Sequence, residues 1–273
     1  MMRTFIVAFV VSVLGLGPAS ALACEGARVD VGGYGIWMRV AGSGPVAVLF
    51  ESGNGADSSD WSTVEPLVRE SGVRTVVYDR AGLGQSEPAP GAYAIDNDVA
   101  ALERALAVCG VDGPLIIVAH SYGGFIAEIL AASEHSVAGL VLVDAAVPGY
   151  FTDDVANGIV AEYSPQFPEL EQARPDLARV LIPIVLTYPE TARRMRAVVV
   201  PLAMPVIDIV AERSWVSTPE ALEAWQRAHE AFVAESPARE AVFASGSGHN
   251  VMRDRPEVVL DAIRQMIAKV TAD

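Results

Sequence analysis

Two stretches of this 273-residue chain carry side chains that could make and break bonds. One is Ala119-His120-Ser121-Tyr122-Gly123-Gly124, a serine among small residues; the other is Ser245-Gly246-Ser247-Gly248-His249, a histidine ending a glycine-rich loop. A serine hydroxyl is a weak nucleophile at its free pKa. It becomes competent when a base takes its proton and backbone N–H groups are aimed at the oxyanion formed on the attacked carbonyl. Histidine suits the base because it takes and returns a proton near neutrality. Of the four histidines, His120 adjoins the serine, so its side chain should point away and serve structure. His135 and His229 lie in polar helical surroundings and are expected to be solvated. His249 remains as the candidate base.

The elements that must position these groups follow from hydrophobic pattern. Residues 115–118 are a short apolar run, the mark of a strand buried on both faces, and the run stops abruptly before Ser121. Good helix formers follow over 125–134, so Ser121 falls at a strand-to-helix turn. Such a turn brings strand and helix close, which demands the minimal side chains of Ala119, Gly123 and Gly124. Upstream, 28–40 predicts a hairpin broken at Gly32-Gly33. Residues 46–50 and 74–78 predict buried strands, with a helix over 60–70 between them and an amphipathic helix over 95–108 after them. Downstream, 139–143 and 205–210 predict further strands, 219–235 a helix, 240–244 the last strand, and 256–269 a terminal helix. Residues 181–188 fit strand and helix equally. Alternating strands and helices imply a mostly parallel sheet with helices on both faces, and loops from several strands gather at its C-terminal edge.

The turn around Ser121 resembles the nucleophile elbow of the α/β-hydrolase superfamily, G-x-S-x-G, with Ala119 at the first glycine. The resemblance extends in the right order through most of the chain. Glu51-Ser52-Gly53-Asn54-Gly55 occupies the oxyanion-loop position, though without the usual histidine. Asp79-Arg80-Ala81-Gly82-Leu83-Gly84-Gln85-Ser86 resembles the D-x-x-G-x-G-x-S turn, and His249 with the following helix resembles the catalytic-histidine region. These segments are similar to those of a bacterial subgroup of uncharacterised hydrolases. The resemblance implies an α/β-hydrolase fold over 24–273 with a helical lid inserted over about 146–204, and a triad of Ser121, His249 and an acid. It also implies an oxyanion hole made by the backbone N–H groups of Asn54 and Tyr122. The acid is less direct. Counting from Pro205 puts Ser214 where most members carry the aspartate. Asp144, ending the strand after the elbow helix, is the first candidate, and Glu212 is the alternative. Glu51 and Arg80, just past the ends of neighbouring strands, are expected to pair and brace the oxyanion loop.

Composition bounds the rest. The chain is 52% hydrophobic and 19% charged, enough to bury a large core. Its net charge of −15 argues against nucleic-acid and anionic-membrane partners. Residues 1–23 carry Arg3, an apolar run and the small-residue exit Ala21-Leu22-Ala23, which predicts a signal peptide and an exported, periplasmic or secreted protein. Cys24 follows that exit. It is open to lipidation, which would anchor the chain to a membrane, and to pairing with Cys109, while Cys109 could equally be buried as a free thiol. No metal-ligand cluster or nucleotide motif is present, and no cofactor is expected. The functional expectation is a serine hydrolase acting on a small, ester-like, apolar substrate. Lactone, thioester and perhydrolysis chemistry use the same groups, and a noncatalytic binder on the same fold is the alternative class.

Overall fold

Apolar runs too short to be helices become the strands of one sheet. The computed structural model describes residues 24–133 and 136–272; the expected signal peptide and His135 lie outside them. The first half of the chain folds as β1 (Glu25–Asp30), β2 (Gly35–Gly42), β3 (Ala47–Glu51), α1 (Glu65–Arg69), β4 (Arg74–Tyr78), α2 (Ile95–Val108), β5 (Leu115–His120), α3 (Gly123–Ala132) and β6 (Val137–Val143). Four helices come next: α4 (Asp153–Tyr163), α5 (Phe167–Ala173), α6 (Pro175–Leu186) and α7 (Tyr188–Met195). The chain closes with β7 (Val206–Ala211), α8 (Pro219–Ala234), β8 (Arg239–Ala244), α9 (Val251–Asp254) and α10 (Pro256–Ala272).

The strand order is β1-β2-β4-β3-β5-β6-β7-β8. The β1–β2 and β2–β4 pairs are antiparallel and the others parallel. Strand side chains alternate between two apolar layers. Leu115, Ile117 and Ala119 enter the layer shared with α2, α3 and α8, whereas Ile116 and Val118 enter the layer covered by α1 and α10. In β7 the same alternation turns Val206 and Val210 toward the first layer, with Asp208 between them in register, and Ile207 and Ile209 toward the second.

One local expectation changes and one open choice is resolved. The helix expected over 60–70 is a 3-10 turn (Ser58–Trp61) followed by the separate α1. Pro66 sits in the first turn of α1, where its missing N–H is harmless, and it cannot continue an earlier helix. Residues 181–186, ambiguous in sequence, belong to α6. Ala178, Leu181 and Val185 recur at helical spacing on the inward side, and that period decides over the β-branched content. Cys24 and Cys109 form a disulfide, Cα to Cα 5.7 Å, tying the start of β1 to the end of α2.

Candidate active site

The sharp turn between β5 and α3 puts Ser121 in the left-handed region, φ 52°. A non-glycine residue there costs about 1–3 kcal/mol and persists only when its surroundings enforce it. The enforcement is visible. The Ser121 carbonyl accepts from Gly124 N–H (2.9 Å) and Ala146 N–H (2.8 Å), so the loop after β6 grips the turn. A Cβ on Gly123 would lie 2.6 Å from Glu51 Cγ and 2.7 Å from the Ser52 carbonyl, so only glycine lets α3 start against the loop after β3. Ala119 is fully buried in the first apolar layer, where its extra methyl is accommodated.

His249 Nδ1 donates to Asp144 Oδ2 at 2.6 Å. Asp144 follows β6, buried and also left-handed at φ 42°. Its carboxylate accepts three further hydrogen bonds: from Ala211 N–H (3.1 Å) and Trp225 Nε1–H (3.0 Å) on Oδ1, and from the Ser214 hydroxyl on Oδ2. Burial would raise the Asp144 carboxyl, but the hydrogen bond and charge of His249, with the Ser214 and Trp225 donors, hold it below the ordinary value. The other candidate acid is elsewhere. Glu212 is 41% exposed and accepts from Ser245 Oγ and Gly246 N–H, turned away from His249 into the loop before it.

His120 is buried and its Nε2 lies 3.1 Å from the His249 carbonyl, so Nε2 carries the proton and donates. Burial, then the neighbouring His249, push its pKa down to about 3, leaving the ring neutral. It therefore fixes the backbone of the histidine loop, as the sequence predicts. His229 is a correction: expected in solvent, it is 1% exposed and its Nδ1 lies 2.8 Å from Asp208 Oδ2. One side of α8 packs on β7, and a pattern dominated by polar neighbours hides that His229 is on that side.

The loop after β3 is clamped as expected. Arg80 pairs with Glu51 and donates to the Ser52 and Gly53 carbonyls, and the Tyr78 hydroxyl donates to the other Glu51 oxygen. Burial pushes the Glu51 carboxyl up to about 7 against the opposing pull of Arg80. Neither the Asn54 nor the Tyr122 N–H has an acceptor among the described residues. Both residues line a cavity of about 600 Å³ together with Ser121 and His249. Its remaining walls are chiefly Phe151, Ile159, Leu181, Tyr188 and Trp215, from the segment between β6 and β7 and the loop after β7. Among the described residues no lysine or arginine lines it, and no cluster of side chains could hold a metal ion.

Ser214 and Trp225 escaped the sequence reading as partners of Asp144. Ser214 left a signal, being a hydroxyl at the position where most α/β-hydrolases carry the acid; Trp225 left none, because its contact depends on how α8 packs.

The sheet order, the elbow and the histidine loop define an α/β-hydrolase, and the chain belongs to the alpha/beta hydrolase family, whose sequence profile matches residues 48–262. It is 27% identical over 241 residues to the uncharacterised protein YqjL of Bacillus subtilis (strain 168), covering 81% of this chain and 83% of that one. It is 34% identical over 144 residues to the lipase LipV of Mycobacterium tuberculosis, covering 52% of this chain and 53% of LipV. Among solved structures, a thermophilic esterase from Thermogutta terrifontis superimposes with a TM-score of 0.63 at 20% identity, over 89% of this chain and 97% of the esterase; this is a likeness of fold.

Proposed function

We propose that the protein is an exported serine hydrolase that cleaves neutral carboxylic esters through an acyl-enzyme on Ser121. The observation carrying this reading is the convergence on one cavity of a left-handed serine, a histidine bonded to a buried carboxylate and two backbone N–H groups without acceptors. In the reaction Ser121 Oγ attacks the ester carbonyl while His249 Nε2 takes its proton. The Asn54 and Tyr122 N–H groups receive the oxyanion. Asp144 holds His249 in the Nδ1–H tautomer and stabilises the imidazolium. Collapse expels the alcohol, protonated by His249, and water, deprotonated by the same ring, releases the acid. The same steps would open a lactone.

Substrate class follows from the walls. A mainly apolar, aromatic cavity that Glu169 also lines and no described lysine or arginine does, in a chain of net charge −15, favours an uncharged acyl group and disfavours a carboxylate-bearing one. Helices α4 to α7, with the loops flanking them, are read as the lid that supplies this apolar cover. Export rests on the character of residues 1–23 and on the Cys24–Cys109 disulfide, a bond kept in oxidising compartments.

The test is labelling with a fluorophosphonate and hydrolysis of p-nitrophenyl acetate and octanoate, each against Ser121→Ala. Labelling and turnover that vanish in the variant, with octanoate preferred, are the expected result. A folded wild type that neither labels nor turns over would overturn the hydrolase reading and bring forward the binder.

A further inference from the structure

Asp144 carries two donors on each oxygen, and only one of the four belongs to His249. The Trp225 donor is the costliest to arrange. Its indole is boxed by rings on several sides: Tyr150 at 5.0 Å, Trp215 at 5.8 Å, Phe151 at 6.2 Å and, one helical turn along α8, His229 at 4.7 Å. His229 is itself held by Asp208, which projects from β7 on the side that α8 covers. Neither Asp208 nor His229 lines the substrate cavity, yet both are buried almost completely. Burying a carboxylate and an imidazole is expensive unless they pair, and a well-packed apolar couple would serve stability as well or better. What an apolar couple would not supply is a directional bond that fixes the ring face against which Trp225 rests.

We propose that Trp225 is a positioning residue for the Asp144–His249 pair, and that the Asp208–His229 pair is the buried prop that sets the angle of its indole. The inference rests on the reading of Ser121, His249 and Asp144 as a triad. Its chemical content is that the indole N–H and the Ser214 hydroxyl together do for Asp144 what a solvated carboxylate obtains from water. They keep it ionised, take up the lone pairs not used by His249, and leave Oδ2 aimed at Nδ1. Other charged groups around the prop are Glu128 from α3 and Arg239 from β8. Burial holds the Glu128 carboxyl well above its ordinary value, and Arg239 is engaged by Glu235 and by the Phe232 and Val200 carbonyls.

The direction of the effect is fixed by sign. A carboxylate that loses a donor becomes more basic and holds the neighbouring imidazolium more tightly. The acid limb of kcat/KM should therefore move to higher pH in Trp225→Phe. In Trp225→Phe, kcat should fall about ten- to a hundredfold, the range for losing one hydrogen bond to a charged group. Asp208→Asn, which touches no substrate, should lower kcat and shift that acid limb in the same direction by less, with KM unchanged.

The experiment is NMR of wild-type protein labelled with 15N at the tryptophan indoles. The Trp225 Nε1–H resonance, assigned by its loss in Trp225→Phe, is followed with the His249 ring protons across pH, and kcat and KM are measured for both variants. A Trp225 resonance that titrates with the His249 midpoint, and is displaced in Asp208→Asn, is the expected result. An indole resonance indifferent to His249 in the wild type would overturn the proposal even if Asp208→Asn does not fold. So would a folded Asp208→Asn with normal kcat and an unmoved acid limb. The titration needs no turnover, so an enzyme inert toward esters would sink the hydrolase reading while still deciding the role of Trp225.

Discussion

Among the described residues, the non-glycine positions with left-handed backbone are Ser121 and Asp144, at the ends of the adjacent strands β5 and β6. A left-handed residue turns the chain sharply at the strand end, which puts Ser121 on the cavity wall and the buried Asp144 carboxylate against His249. Both positions pay for that in conformational strain, so the strain coincides with the proposed nucleophile and acid. Glu212 shows the contrasting case: half in solvent, it caps the loop before His249 through Ser245 and Gly246 and has no line to the imidazole. Asp144→Asn keeps the shape of the acid but replaces an acceptor that fixes the His249 tautomer, so kcat should fall by about 10⁴, as for the equivalent change in serine proteases. Glu212→Gln should leave kcat near normal. Ester hydrolysis by both variants, with circular dichroism to confirm folding, decides between them; the reverse ranking would move the acid to Glu212.

At the scale of elements, the site depends on how loops after β3, β4 and β5 are fastened to each other. Arg80, from the loop after β4, ties down the two consecutive carbonyls of Ser52 and Gly53 that lead into Asn54 and is itself neutralised by Glu51 at the end of β3. Removing one member of a buried pair leaves an uncompensated charge and costs about 3–5 kcal/mol. In Arg80→Gln that charge is the Glu51 carboxylate, whose pKa, already about 7 with Arg80 present, rises further. An acid with a raised folded pKa is neutral, and so tolerated, at low pH. Its penalty grows as pH climbs from the ordinary carboxylate value through the folded one. Urea unfolding should therefore show Arg80→Gln losing more stability at pH 8 than at pH 5, and Glu51→Gln/Arg80→Gln should recover part of that loss without recovering kcat. A pH-independent loss would mean that Glu51 is not the group left exposed to the penalty. This pair was legible in sequence, as were the elbow and the histidine loop, because each is a short motif at a strand end and strand order places the ends together. The position of Asp144 against Glu212 was only half legible, since both follow sheet strands and the choice lies in backbone φ and loop direction. The burial of His229 and the reach of Trp225 were not legible at all: α8 reads as a polar amphipathic helix, and which of its polar residues face β7 is set by packing.

One margin of the whole molecule is the sheet edge at β1, and the disulfide lies on it. β1 is an edge strand hydrogen-bonded only to β2, and most of its residues are exposed, so little apolar burial holds it. Cys24 immediately precedes it, and the bond to Cys109 anchors that end to α2 across 85 residues of sequence. A cross-link closing so long a loop removes much of the freedom of the unfolded chain and is worth about 2–4 kcal/mol. For a domain of this size that is on the order of 5–15 °C in Tm. The bond sits near Gly42, Arg74 and Gly110, at the N-terminal edge of β4, whereas Ser121 is at the C-terminal edge of the parallel strands. Cys24→Ser/Cys109→Ser should therefore lose thermal stability but keep kcat at 25 °C, and a reductant should lower the wild-type Tm toward that of the variant. The same sulfur decides the fate of the N-terminus, because a Cys24 joined to Cys109 has no thiol left to carry a lipid. Under the proposed export with cleavage before Cys24, the intact mass of the recovered protein should be that of the chain from Cys24 less a pair of hydrogens. A diacylglycerol adduct on Cys24, or a Tm unmoved when the bond is fully reduced, would mean that the N-terminal strand is held by something other than this cross-link.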